Sequence, residues 1–113
     1  MQLLVAVVNH EEHVDDILAG FVELGITGAT VLESKGMGRL LSREVPIFAG
    51  VRSLAARSRA ENRTILCVVA DDKADAAIAL LQEVVGDLEA PGAGIAFTVP
   101  IGRVVGLSPE LES

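Results

Sequence analysis

A glycine-rich segment flanked by two cations is the part of this chain best suited to bind an anion. Residues 35–39 have the sequence Lys-Gly-Met-Gly-Arg. Glycine lets backbone N–H groups approach an anionic oxygen closely, and arginine offers a forked pair of donors to the same oxygens. Alone, a Gly-x-Gly followed by arginine is more often a simple turn. Phosphate-type binding is therefore the first chemistry to consider, and it needs support from the rest of the chain.

A second cluster of possible ligands is the run His-Glu-Glu-His at residues 10–13. Two histidines three residues apart could attract a metal, but no further ligand converges on them, so no metal site is predicted. The alternative is an exposed, acidic first turn of a helix, which the helix dipole favours. No nucleophile with a partnered base is visible, so the chain is not expected to be an enzyme.

The hydrophobic pattern of the first half predicts a strand, a helix and a second strand. Residues 2–8 form a continuous apolar strand. Asn9 is expected to cap the next helix, because Glu12 three residues later completes a capping-box pattern. Gly25 is expected to end that helix, and residues 29–34 form the second strand.

The second half repeats this order. Residues 64–70 are predicted to form a strand, and residues 95–99 are predicted to form the last strand. Between them, Asp71 or Asp72 is expected to cap a helix that ends at Gly86. The resulting order βαββαβ predicts an α+β, ferredoxin-like fold. Its four strands would form an antiparallel sheet with both helices on one face and a long loop between the second and third strands.

Composition predicts one soluble domain over residues 1–113 that buries apolar surface between subunits. Half of the residues are hydrophobic and the mean hydropathy is +0.49. No apolar run is long enough to span a bilayer, so no membrane insertion is expected. The start of the chain does not resemble a signal peptide, and the single Cys67 suits the core of a protein in a reducing compartment, so a cytoplasmic location is expected.

Charge is concentrated in the long connection between the second and third strands. Residues 35–63 contain seven Lys or Arg and two acids, a local charge of +5, whereas the remainder carries −12. A connection as long as residues 37–63 is usually functional, and we expect a mobile loop that orders on binding and contacts a partner. The acidic body and the lack of tyrosine and tryptophan argue against nucleic acid as that partner.

Several of these segments together resemble the PII family of small trimeric signalling proteins. The resemblance lies in Gly-Ile-Thr-Gly-Ala-Thr at residues 25–30 before Lys-Gly-Met-Gly-Arg, the acidic turn at residues 71–72, and Gly-Ala-Gly at residues 92–94 before the last strand. It implies a homotrimer with adenine-nucleotide clefts between subunits. It also implies regulation of a target protein, an enzyme or a transporter, through the long loop.

The resemblance implies nucleotide- or anion-binding roles for three groups of residues. Gly28, Ala29 and Thr30 would line the adenine side of the cleft. Gly36, Gly38 and Arg39 would approach the phosphates, and Gly92, Ala93 and Gly94 would line the far side. No cofactor is required; AMP, ADP or ATP is the expected effector.

Departures from the family pattern favour a ligand with few charges. Ile95 stands where the family usually presents a lysine to the phosphates, Gly106 and Ser108 replace arginines, and Leu40 replaces a glutamine that helps to hold a magnesium-bound oxo-acid. The chain has no tyrosine, so uridylylation of a loop tyrosine is excluded. AMP, ADP or another small anion therefore suits the site better than ATP with magnesium and 2-oxoglutarate.

Three other protein classes share the predicted topology. An acylphosphatase-like enzyme would need an arginine in residues 9–13, and this segment contains none. An RNA-recognition module would need a set of aromatic side chains on its sheet, which a chain with 3% aromatic residues does not supply. The remaining alternative is a constitutive trimeric small-ligand or metal-binding protein similar to CutA, without a nucleotide switch. That alternative leaves the glycine-rich segment and the basic connection unexplained.

Overall fold

Four strands and two helices make up the part of the chain that the computed structural model describes, residues 1–37, 62–90 and 92–107. In chain order they are β1 (Gln2–Val8), α1 (Glu12–Glu23), β2 (Thr30–Ser34), β3 (Asn62–Val69), α2 (Asp71–Val85) and β4 (Gly94–Pro100). The predicted order is confirmed. Neither described helix is long and apolar enough to cross a membrane.

The strands form one antiparallel sheet in the order β2-β3-β1-β4, which confirms the predicted ferredoxin-like fold. Its register aligns residues from all four strands in rows across the sheet. One row contains Thr30, Leu66, Val5 and Phe97. A second row, nearer the carboxyl end of β1, contains Glu33, Arg63, Val8 and Gly94. These rows locate the candidate site residues relative to one another.

The core lies between one sheet face and both helices. From Leu4 to Val8 in β1 and from Ile65 to Val69 in β3, every second residue is buried under the helices, as expected for a strand with one covered face. From the helices, Ile17 and Phe21 of α1 and Leu81 of α2 complete the core. The helices approach closely at Gly20, where a Cβ would lie 2.5 Å from a methyl carbon of Leu80. Cys67 is buried, as predicted.

The opposite sheet face is apolar and uncovered in the single chain. Ile95, Phe97 and Val99 of β4 are between 42% and 54% exposed, and Leu32 of β2 is also exposed. The partly buried residues of β1 that alternate with its core positions lie on this same face. Since exposed apolar area of this kind costs free energy in water, the face is a strong candidate for an interface.

The predicted capping role of Asn9 is wrong. The helix α1 begins at Glu12, and Glu11, in helical conformation (φ −58°, ψ −33°), occupies the cap position without a side-chain cap hydrogen bond. Asn9 lies too early in the chain to cap this helix. Its Nδ2 instead donates a hydrogen bond to the carbonyl oxygen of Gly92. Asn9 therefore makes a long-range hydrogen bond to the glycine turn instead of the helix cap that local spacing predicted.

The cap predicted for α2 is also wrong. The extended residue before the helix is Ala70, and Asp71 is the first helical residue. Asp71 Oδ1 lies 3.0 Å from the N-terminal amine, and hydrogen bonding to that amine holds the pKa of Asp71 below its ordinary value. The predicted stop at Gly86 is confirmed, with φ at +94°.

Candidate functional site

The three residues predicted to line the adenine side lie together at the start of β2. Gly28, Ala29 and Thr30 border a depression of about 380 Å³ on the uncovered side of the sheet. Its other walls come from β1, β3 and the segment after β4, namely Leu3, Leu66, Cys67, Val68, Gly106 and Leu107. None of these described lining residues is charged. The depression can therefore accept a flat, weakly polar group but offers no cation to a phosphate.

The backbone at Gly28 is held by a hydrogen bond from the buried Cys67. The thiol donates to the carbonyl oxygen of Gly28 with a separation of 2.9 Å between sulfur and oxygen. A Cβ added at Gly28 would have no heavy atom within 4 Å, so the surface above this backbone is open. The glycine thus leaves space that a ligand could fill.

Two further segments with predicted residues lie at the other end of the sheet, one at each edge. Gly36 follows β2 and is half-buried, while the turn of Gly92, Ala93 and Gly94 leads into β4. The row that joins Glu33, near the end of β2, to Gly94, at the start of β4, places both segments at the same end. Gly38 and Arg39 lie outside the described residues.

The glycine turn has a backbone that only glycine adopts easily. Gly92 has φ of +76° and Gly94 has φ of +131°. A Cβ at Gly94 would lie 2.4 Å from the carbonyl oxygen of Val7, closer than real Cβ atoms come. Ala93 N–H donates to Ala90 O at 3.2 Å, and Asn9 holds Gly92. The turn is therefore fixed against β1 at defined points.

Polar side chains join the two strands where the long connection leaves the sheet. Ser34 Oγ donates to Asn62 Oδ1 and lies 2.8 Å from Thr64 Oγ1. Close by, Arg63 Nη2 lies 3.1 Å from Glu11 Oε1 and 3.5 Å from Glu33 Oε1. An anionic ligand would therefore have to compete with two carboxylates for Arg63.

Two groups of candidate residues, Gly28 to Thr30 and Gly92 to Gly94, cannot meet within one chain. Gly28 to Thr30 adjoin β2 at one edge and one end of the sheet, whereas Gly94 starts β4 at the opposite edge and the opposite end. Three strand spacings alone separate these edges by about 14 Å. A single site that contains both groups requires a second subunit.

The histidines near the start of α1 do not form a metal centre with their neighbours. The rings of His10 and His13 meet edge to face with centroids 5.4 Å apart, and His10 Nδ1 lies 3.4 Å from Glu12 Oε1. Within residues 1–37, 62–90 and 92–107, no group of three or more potential ligands is arranged to hold a metal ion. Both histidines are partly buried, and His13 Nδ1 has no hydrogen-bond partner within the described residues.

Sequence reasoning missed the strand residues that line the depression. Leu66 and Val68 alternate with the buried Ile65 and Cys67 along β3, so their position on the uncovered face could have been inferred from the period of two. Leu107 carries no such signal. It reaches the depression because the segment after β4 extends towards β1, β3 and the start of β2.

Two comparisons with known proteins bear on identity. A search of curated proteins found no match. The family model described as nitrogen regulatory protein P-II matches residues 1–110, nearly the whole chain. Proteins of this family are regulators rather than enzymes. The match extends across both groups of candidate residues and all six helices and strands, so this chain belongs to the nitrogen regulatory protein P-II family.

Proposed function

We propose that this chain is the subunit of a homotrimeric regulator that binds an adenine nucleotide or a related small anion in clefts between subunits. The ligand state would then control a target protein, an enzyme or a transporter, through residues 37–63. The observation that carries the proposal is the placement of the two candidate groups at opposite edges and ends of a sheet whose outer face is apolar and uncovered.

The uncovered face supplies the driving force for assembly. Burying apolar surface contributes about 25 cal/mol per Å². Phe97 and its neighbours on β4 therefore favour an interface that covers them. An assembly through this face would bring the start of β2 in one subunit towards an edge of another subunit. The separated groups could then line one cleft.

The chemistry of the two groups is complementary. The uncharged depression at Gly28 to Thr30 suits an adenine ring, while the other end of the sheet carries the exposed Lys35 and the glycine turn. Ile95 follows that turn and supplies no charge, which favours AMP or ADP over a more highly charged ligand. Arg39 would add a charged donor beside the phosphate.

Regulation through the long connection is supported by its charge and by the family. The segment from residue 35 to residue 63 carries +5 on an otherwise acidic chain, which suits an acidic surface on a target protein. A ligand can control this contact only by binding more tightly to one conformation of the protein than to another.

The proposal is tested by light scattering and calorimetry on the wild-type protein and two matched variants. We expect a trimer at micromolar concentration that binds AMP or ADP. Gly28→Leu should abolish binding by filling the depression. Gly102→Leu should bind normally, since both glycines have open space around them and neither has a positive φ.

Two results would contradict the proposal. One is a stable monomer of 11.8 kDa, because a monomer cannot bring the two groups together. The other is an unchanged nucleotide affinity in Gly28→Leu, which would remove the depression from the site. The same screen should include divalent metals without nucleotide, since metal binding alone would favour the constitutive alternative.

A further inference from the structure

We infer that Asn9 is the positioning residue of the glycine turn and that it acts on ligand affinity through the turn's backbone. The inference rests on the proposed function in so far as Gly92 to Gly94 contact the ligand. The role of Asn9 in holding the turn can be tested without any ligand. Nothing in the local pattern assigns this role, since spacing points instead to a helix cap.

The geometry connects the end of β1 to the turn before β4. Val8, the last residue of β1, pairs with Gly94, and the next residue along the chain donates from its side chain to Gly92 O. These partners are 83 positions apart in sequence, and the contact is partly buried. Because a carbonyl oxygen can only accept, the Asn9 atom that faces it must be the amide nitrogen.

The turn is thus held at both of its ends. At Gly94 the backbone lies against the Val7 carbonyl so closely that no side chain fits. At Gly92 the only side-chain hydrogen bond described is the one from Asn9. Removing the Asn9 donor leaves the Gly92–Ala93 peptide held only by the hydrogen bond from Ala93 N–H to Ala90 O, while Gly94 stays in place.

This restraint matters because the turn presents no charged side chain. Gly92, Ala93 and Gly94 can approach an anion only through their backbone, and the next residue is Ile95. Backbone dipoles bind an anion well only when their direction is fixed before binding. Asn9 therefore supplies preorganisation where the sequence supplies no cation.

Replacement by aspartate separates this role from helix capping. Asp has the shape of Asn and is as good a cap, so a capping role would survive Asn9→Asp. A carboxylate cannot donate, however, and it would place a negative charge against the Gly92 oxygen. Asn9→Ala serves as the second variant because it removes the donor without adding charge.

The experiment measures hydrogen exchange in the ligand-free trimer and the calorimetric affinity for AMP and ADP. Both variants should speed exchange of residues 92–96 by about tenfold and weaken affinity by about tenfold, the factor expected for one lost hydrogen bond. Exchange within α1 should not change. Melting followed by circular dichroism confirms that both variants remain folded.

Each alternative outcome has one meaning. Unchanged exchange in the turn of Asn9→Asp overturns the inference. Faster exchange with unchanged nucleotide affinity overturns the link between the turn and the ligand. If the wild-type protein binds no nucleotide, the proposed function fails, while the exchange data still decide whether Asn9 holds the turn.

Discussion

At the scale of single residues, the candidate site is built from glycines that serve two different purposes. Gly94 is required by the fold, because its φ of +131° and its contact with Val7 O leave no room for a side chain. Gly28 has open space around it and an ordinary backbone conformation. The first glycine shapes the turn, and the second leaves a surface free. Substitutions at the two positions should therefore affect different properties.

We expect Gly94→Ala to lower the free energy of unfolding by about 2 to 4 kcal/mol, from backbone strain combined with overpacking. The contact atom is a main-chain oxygen of the central strand, which cannot move aside cheaply. Urea denaturation measures the loss. Gly102→Ala is the matched control and should change stability by less than about 0.5 kcal/mol. Equal stability of Gly94→Ala and wild type would show that the turn is not held against β1.

At the scale of elements, Arg63 joins three segments near the point where the long connection enters the sheet. It is the second residue of β3 and contacts Glu11 before α1 and Glu33 on β2. Its own side chain is only 12% exposed, while both carboxylates are well exposed. Exposed partners weaken each pair by screening, so each ion pair is expected to contribute little, and the two together join the three segments.

Arg63→Met should lower the free energy of unfolding by about 0.5 to 1.5 kcal/mol, because two screened ion pairs are lost while the apolar stem is kept. The difference from wild type should shrink in 1 M salt, where the screening length falls to about 3 Å. Arg103→Met, at an exposed position with no described ion pair, is the control. A loss that does not depend on salt would show that packing, rather than charge, explains the effect.

At the scale of the whole molecule, one face of the sheet explains both the composition and the proposed assembly. A chain of 113 residues with a mean hydropathy of +0.49 has more apolar side chains than one small core can bury. Part of the surplus lies on the uncovered face, where Ile95, Phe97 and Val99 occupy alternate positions along β4. Covering this face is the step that would turn two separated groups of residues into a site.

Most of the fold followed from hydrophobic periodicity, because the strands and helices obey it closely. The strand predicted at residues 95–99 is β4, which extends one residue further at each end. Both helices are followed by the glycine that was predicted to end them, and each of these glycines has a positive φ. Both predicted caps failed. Local spacing could not reveal that Asn9 contacts a residue 83 positions away, or that Asp71 binds the N-terminal amine.

The candidate site was less accessible to sequence reasoning than the fold. The consecutive residues Gly28, Ala29 and Thr30 line one depression, but their separation from Gly92 to Gly94 depends on strand order, which periodicity does not determine. The predictions for Gly38 and Arg39 lie outside the described residues. They stay predictions.

The most direct test of the central claim, a site assembled from two subunits, uses two defective variants mixed together. Gly28→Leu blocks the depression, and Ala93→Glu places a negative charge on the glycine turn. Each homotrimer should fail to bind AMP or ADP. In a mixed trimer, one cleft of the three joins an intact depression from one chain to an intact turn from its neighbour.

When the two variants are refolded together in equal amounts, random assembly makes about three quarters of the trimers mixed. Since each mixed trimer has one intact cleft of three, about one quarter of the wild-type binding capacity should be restored. Calorimetry measures the binding capacity of the separate and the co-refolded samples, and wild-type protein refolded in the same way is the control for recovery. The account predicts nucleotide binding that appears only on mixing. Mixed trimers that assemble but bind no nucleotide, while the refolded wild type binds, would contradict a site shared between subunits.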